Sequence, residues 1–186
     1  MIFKKSILIL GLLFSIQKAI AQDSLVYKHQ IGVGLPKLIN HIFSVDQNSF
    51  LLNYRYRYSN KMALRSGLDF SLTSNNETPS FFALKLGFDR TVKTFKKWNV
   101  YYGLDLTGGY LWDPDIKSDN VRIGTHLLLG INYFVGPHFS IAMEPYLAYS
   151  FNYFHDHDTL DPDQQHKSWH QLGLGGVGFL IVNFHF

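Results

Sequence analysis

Apolar and polar residues alternate one by one along most of this 186-residue chain. A period of two residues is typical of a β-strand with one apolar and one polar face. The alternation recurs in eight segments, and several of them exceed the five or six residues usual for strands of soluble proteins. These segments are 25–35, 49–58, 62–72, 82–89, 98–110, 121–133, 139–152 and 168–186. The pattern predicts an all-β protein with eight strands.

The length of these strands and the connections between them predict the architecture. A tilted strand of about 9–11 residues crosses a bilayer, and a closed barrel leaves no unpaired edge facing lipid. The expected inner turns are 59–61, 91–97 and 136–138, and the expected outer loops are 36–48, 73–79, 113–120 and 153–167. Short turns on one side and longer loops on the other are typical of outer-membrane barrels. We therefore expect an eight-stranded antiparallel up-and-down transmembrane β-barrel.

The first residues have the features of an export signal. Lys4 and Lys5 precede the apolar run 7–16, and Ala19 and Ala21 give the small-x-small pattern of a cleavage site. The apolar run is shorter than the roughly 20 residues that a spanning helix needs, although a single N-terminal anchor is the alternative. We expect a cleaved signal peptide at 1–21 and one barrel domain at 22–186.

Composition narrows the class of protein further. Cysteine is absent, which excludes disulfides and thiolate metal sites. Lys4, Lys5 and Lys18 would leave with the signal, so the 17 basic residues would become 14 against 14 acidic ones. A formally neutral mature chain without a basic patch does not indicate nucleic-acid binding.

Several aromatic residues fall near the ends of the expected strands, on their apolar face. They are Tyr56, Tyr58, Trp98, Tyr110, Trp112, Tyr133, Tyr149 and Phe151. Aromatic rings with one wet and one apolar side concentrate at membrane interfaces, where barrels carry two such girdles. We therefore expect the apolar face to meet lipid. The alternative is a soluble barrel with its apolar face inward, which would expose the glycine-rich polar face to water.

The polar face of the strands carries charges of both signs. They are Lys28, Arg55, Arg57, Arg65, Lys85 and Arg122 with Asp69, Asp89, Asp105 and Glu144. The interior of an eight-stranded barrel is only wide enough for its own side chains. Buried charges are costly unless they are paired and hydrogen-bonded. The near balance of signs predicts a polar plug, and a narrow charged channel is the alternative.

The last residues carry a resemblance to a known family. Phe184 and Phe186 on one face resemble the C-terminal β-signal that outer-membrane barrels present to the barrel-assembly machinery, although Ile181 stands where that signal usually has glycine. The segment 176–186 and the sequence Ala-Ile-Ala-Gln at 19–22 resemble the small outer membrane protein β-barrel domain proteins of Bacteroidota, of OmpA- and OmpX-like architecture. This resemblance implies a fold and a location more than an activity, because such proteins include structural, adhesive and secretion-linked barrels.

Two groups of residues contain the side-chain types of chemical sites. The segment 154–170 contains His155, His157 and His166 among several aspartates, which are ligand types for Zn²⁺, but a solvated acidic loop is the preferred interpretation. His138, Ser140 and Glu144 offer the residue types of acyl-chain hydrolysis without a Gly-x-Ser-x-Gly elbow. We therefore assign no catalytic, cofactor or metal residues. The segment 35–43 has apolar residues at helical spacing and predicts a short surface helix.

The sequence thus predicts a non-enzymatic integral protein of the outer membrane, with a plugged interior and loops that serve envelope structure or partner binding. Its expected partners are outer-membrane lipid, the barrel-assembly machinery and an envelope protein bound through the loops, and we expect a monomer. A barrel subunit of a transport or secretion system is the alternative. A lipid-modifying enzyme of the outer membrane is a more remote one.

Overall fold

The computed structural model describes residues 27–35, 50–71, 79–158, 165–175 and 180–186. The predicted signal peptide lies outside the described residues. So do the predicted helix at 35–43 and the predicted loops 36–48 and 73–79, apart from Leu35 and Pro79. No helix within the described ranges is long and apolar enough to cross a membrane.

The described chain is all-β, with ten strand segments. They are β1 (His29–Gly34), β2 (Leu52–Arg57), β3 (Met62–Ser71), β4 (Ser80–Phe95), β5 (Trp98–Asp113), β6 (Ser118–Phe134), β7 (Phe139–Met143), β8 (Tyr146–Asp156), β9 (His166–Gly175) and β10 (Leu180–His185). Every pair of neighbouring segments is antiparallel.

The ten segments form the eight strands of a closed barrel. β7 and β8 pair with β6 in one register, and only Glu144 and Pro145 separate them, the second of which has no N–H. The carbonyl of Pro145 still accepts a hydrogen bond of 3.0 Å from the N–H of Leu129. β9 and β10 make up the last strand, and β10 pairs with β1 to close the sheet. The predicted eight-stranded antiparallel barrel is confirmed.

The two faces of the sheet point as the alternation predicts. In β3 the side chains of Ala63, Arg65 and Asp69 are buried in the barrel, while Leu64 and Phe70 are exposed on its outside. The same order holds in β4, β5, β6 and β8. A soluble barrel with an inward apolar face is therefore wrong for the described part of the chain.

Two connections are shorter than the sequence predicts. β4 continues through the predicted turn 91–97 to Phe95, with a register shift between Thr91 and Lys93, so that only Lys96 and Lys97 form the turn. A β-bulge adds one residue to a strand and breaks the alternation, which explains why this segment resembles a loop in sequence. The predicted loop 113–120 is likewise reduced to residues 114–117, because β5 and β6 pair as far as Asp113 and Ser118.

The terminal end of the barrel is defined here as the end near Tyr27 and Phe186, and the opposite end is the loop end. The terminal end carries the short connections 58–61, 96–97 and 135–138. β1 begins only at His29, later than the predicted start at residue 25, and Lys28 is exposed at this end. The predicted burial of Lys28 in the interior is therefore wrong, because this residue lies just before β1 at the open end of the barrel, although its carbonyl still accepts a hydrogen bond from the N–H of Arg57.

The tight turn at the terminal end contains a strained backbone position. Lys96 has a φ of 50°, in the left-handed region that favours glycine. We expect Lys96→Gly to raise the free energy of unfolding by up to about 1 kcal/mol, because it removes the clash between Cβ and the backbone. Lys97→Gly is the matched control and should lower it by about 0.5–1 kcal/mol, since Lys97 has no positive φ to relieve. Urea unfolding of the three proteins measures both effects, and equal changes would contradict the assignment of strain to Lys96.

Candidate functional site: the apolar outer face and the polar interior

The outside of the barrel carries a broad band of exposed aliphatic side chains. Leu86 is 67% exposed, Leu106 60% and Ile123 63%. The band also includes Leu64, Leu84, Leu104, Leu127, Leu129, Leu147, Leu172 and Leu174. Soluble monomers rarely expose contiguous apolar patches beyond a few hundred Å². Such a band is more favourable in an apolar environment than in water.

Aromatic side chains border this band towards both ends of the strands. At the terminal end, Trp98 packs against Tyr133 with ring centroids 4.6 Å apart, and Phe186 stacks on His29 at 5.5 Å. Towards the loop end, Tyr110 and Tyr149 are exposed on the outside. Trp98 and Tyr110 are twelve residues apart on β5, which corresponds to about 30 Å along the barrel axis at ~3.3 Å per residue and a tilt of about 40°. This spacing matches the hydrocarbon thickness of a bilayer.

Arg65 is the centre of an ion-pair network inside the barrel. Its guanidinium donates to both oxygens of Glu144, at 2.9 and 2.6 Å, and its Nε lies 3.2 Å from Oδ1 of Asp105. The hydroxyl of Tyr101 donates to Oε1 of Glu144 at 2.5 Å. All four side chains are buried. The bidentate geometry is the strongest form of an arginine–carboxylate contact.

Two further cations complete this network. Arg55 forms an ion pair with Asp89, and its guanidinium lies 4.4 Å from the centroid of the Tyr101 ring. Nζ of Lys85 lies 3.7 Å from Oδ2 of Asp105. The three cations Arg55, Arg65 and Lys85 thus face the three carboxylates of Asp89, Asp105 and Glu144. The balanced signs allow the charges to remain buried.

Glycine makes room for the largest interior side chains. The ring of Tyr101 lies directly over the Cα of Gly130, where any Cβ would overlap it, and Gly130 is level with Glu144 on the neighbouring strand. The ring of Tyr146 covers Gly175 in the same way. The glycines of the polar face therefore allow aromatic rings to cross the narrow interior.

Little space remains within the network. One cavity of about 30 Å³ lies beside Lys85, Asp105 and Glu144, and another of about 10 Å³ lies beside Arg55 and Arg65. Spaces of this size hold about one or two water molecules. Most of the predicted interior charges are buried, and Arg57 and Arg122 are half-buried near the ends. At this level the barrel is filled by its own side chains.

No family model, curated protein or solved structure matches the chain.

The candidate catalytic residues His138, Ser140 and Glu144 do not come together in the described structure. Nδ1 of His138 lies 2.9 Å from the backbone oxygen of His185, and the hydroxyl of Ser140 lies 2.7 Å from Nε2 of His185. Glu144 binds Arg65 and Tyr101 instead. Ser140 and His185 are both buried in the barrel. The serine and histidine thus serve as a hydrogen-bonded pair between β7 and β10.

A second polar group lies on the outside of the barrel at the loop end. Asp119 of β6, His155 of β8 and His157, just after β8, place one ligand atom each within 4.8 Å of one another. Nearby, Nζ of Lys117 lies 2.9 Å from Oδ1 of Asp158, and this hydrogen bond raises the pKa of the Lys117 ammonium. The two histidines are recognisable in the sequence as possible ligands, whereas Asp119 is not. The signal that could have found Asp119 is the hairpin register, which pairs it directly with His155.

Proposed function

We propose that this chain is an integral β-barrel protein of a bacterial outer membrane, without enzymatic activity of its own. The observation that carries this proposal is the band of exposed aliphatic side chains around the barrel, bordered by aromatic residues. Lipid is the surrounding in which such a band is favourable, because each buried Å² of apolar surface contributes roughly 25 cal/mol. β1 and β10 pair with each other and close the sheet, which supports the proposal because lipid requires paired backbone groups.

The interior supports a role other than solute passage. The network around Arg65 fills the barrel across β2, β3, β4 and β5, and opening a pore would separate buried ion pairs. The barrel would therefore act through its surfaces. We propose that its loops contribute to envelope structure or bind an envelope partner.

Residues 1–21 support export. Their basic start, apolar run and Ala19-x-Ala21 site have the pattern of a cleaved signal peptide. We propose that the mature barrel enters the outer membrane through the barrel-assembly machinery. We also propose that the chain belongs to the small Bacteroidota-type barrels, because segments 19–22 and 176–186 resemble theirs.

Membrane fractionation followed by gel electrophoresis tests this proposal. We expect the mature protein in the outer-membrane fraction after carbonate or urea washing, and we expect the unboiled barrel to migrate differently from the boiled chain. Recovery of the folded protein in the soluble periplasmic fraction would contradict the membrane assignment. Co-purification of stoichiometric envelope proteins from native membranes would identify the partner, and recovery of secretion components would replace the proposed role by that of a transport subunit.

A further inference from the structure

We propose that Asp119, His155 and His157 form a binding site for a divalent transition-metal ion such as Zn²⁺ on the outside of the barrel, at its loop end. The proposal is independent of the membrane assignment, because it rests on the geometry of these three side chains in the folded barrel. Asp119 is the residue that changes the interpretation of the histidine-rich segment, because it supplies a carboxylate from a different strand.

The distances between the ligand atoms suit coordination of one ion. Oδ1 of Asp119 lies 2.7 Å from Nε2 of His157 and 3.7 Å from Nδ1 of His155. In a tetrahedral zinc site with bonds of 2.0–2.1 Å, neighbouring ligand atoms lie about 3.3 Å apart. The two observed distances lie on either side of that value. The third distance, between the ligand atoms of His155 and His157, is at most 4.8 Å. Relative shifts of about 1.5 Å or less would therefore place all three atoms at bonding distance from an ion.

The backbone holds the three residues together. Asp119 and His155 are directly paired across β6 and β8. The N–H of His157 donates to the carbonyl of Lys117 at 3.0 Å. The ion pair of Lys117 with Asp158 is a second contact between the start of β6 and the end of β8. The ring of His157 also packs edge-on against Trp112, with centroids 5.6 Å apart. The histidine that follows the strand is thus fixed beside the other two ligands.

The ligand set favours zinc-type ions over calcium and magnesium. Two imidazoles and one carboxylate suit Zn²⁺ or Cu²⁺, whereas Ca²⁺ and Mg²⁺ prefer oxygen ligands only. The side chains of Asp119, His155 and His157 are 16%, 30% and 41% exposed, which leaves one side of the site open to solvent. A water molecule can occupy the fourth position. The ring of His166 on β9 also lies near, 4.5 Å from that of His155 between centroids.

Binding requires one rearrangement of protons. The contact of His157 Nε2 with Asp119 is a hydrogen bond of 2.7 Å, in which the imidazole N–H donates to the carboxylate. The metal ion takes the place of that proton, so His157 binds as the neutral tautomer that carries its proton on Nδ1. The carboxylate turns from acceptor of the hydrogen bond to ligand of the ion.

Isothermal titration of the purified barrel with Zn²⁺ tests the site, using protein without a polyhistidine tag. We expect saturable binding of one ion per chain, unaffected by millimolar Mg²⁺ or Ca²⁺. Asp119→Asn and His157→Ala should each weaken binding about tenfold or more. His170→Ala is the matched control, because His170 is another outward histidine of β9 that hydrogen-bonds Tyr149 instead, and its loss should leave the affinity unchanged. Co²⁺ added in place of Zn²⁺ should give the visible absorption bands of a tetrahedral complex.

Three outcomes would overturn the proposal. Absence of saturable Zn²⁺ binding at micromolar concentrations would leave the Asp119–His157 contact as a hydrogen bond only. An unchanged affinity of Asp119→Asn for Zn²⁺ would mean that the histidine-rich segment binds the ion without a ligand from β6. An equal loss in His170→Ala would indicate unspecific binding to surface histidines. The change in migration on boiling verifies that each variant still folds, so a failure of the barrel itself is distinguished from a failure of the site.

Discussion

Replacing Arg65 by methionine is expected to lower the free energy of unfolding of the barrel by about 3–5 kcal/mol, because it leaves buried carboxylates without their partner. Arg65 binds both oxygens of Glu144 and also contacts Asp105. Methionine retains most of the length of the side chain, so the loss measures charge and hydrogen bonding more than volume. Urea unfolding of the barrel in lipid vesicles, followed by tryptophan fluorescence, gives the value.

The double variant Arg65→Met/Glu144→Met isolates the ion pair from its surroundings. We expect its free energy of unfolding to be higher than the value obtained by adding the losses of the two single variants, because the double variant leaves neither charge unpaired at this contact. Arg122→Met is the matched control, because Arg122 is another arginine of the polar face that is only half-buried, and its Nε donates to Oδ1 of Asn152. A loss below about 1 kcal/mol in Arg65→Met would contradict a plug held by ion pairs.

The strands and their faces follow from the sequence because a period of two residues determines both at once. The alternation around Arg65 predicts β3 almost to the residue, and it places Arg65 and Asp69 inside the barrel. It fails where a bulge changes its phase, as in β4 beyond Thr91. There Lys93 and Thr94 are both exposed near the end of the barrel, where either face can be polar. Alternation predicts strands best where the two faces of the sheet meet different surroundings, one apolar and one polar.

The partners of the interior charges could not be predicted in the same way. The sequence indicates that charges share the barrel interior, but the pairing of Arg65 with Glu144 joins residues from β3 and from the break between β7 and β8. That meeting depends on how the strands are staggered around the barrel, which alternation does not determine. The same applies to Ser140, which pairs with His185 and not with its sequence neighbour His138.

The proposed outer metal site could not be predicted from the sequence for a related reason. His155 and His157 are recognisable as possible ligands because they lie close together in sequence. Asp119 lies on β6, far from them in sequence, and is flanked by ordinary polar residues. Only the register of β6 against β8 places the carboxylate opposite His155. A site whose residues are brought together by strand register can be recognised from the structure but not from the sequence alone.

Leu106→Arg is expected to destabilise the barrel in lipid vesicles by about 2–4 kcal/mol, because it places a charge near the middle of the apolar band that we propose to lie in the bilayer. Leu106 is 60% exposed on the outside of β5, between Trp98 and Tyr110 near the two ends of the apolar band. Urea unfolding and refolding in vesicles measures the difference. In a water-exposed barrel the same change would be nearly neutral, since surface substitutions usually alter stability by less than about 0.5 kcal/mol.

Ile116→Arg provides the matched control for this test of the membrane assignment. Ile116 is 54% exposed, much like Leu106, but it lies in the turn that joins β5 and β6 beyond the aromatic border. The cost of a charge on a barrel falls to about 0–1 kcal/mol near the interfaces, so Ile116→Arg should change stability little. A large difference between the two positions is explained by the depth of each residue in lipid, because their exposure is similar. Equal and small effects would mean that water surrounds both residues, and the band of leucines would then need a protein partner to cover it.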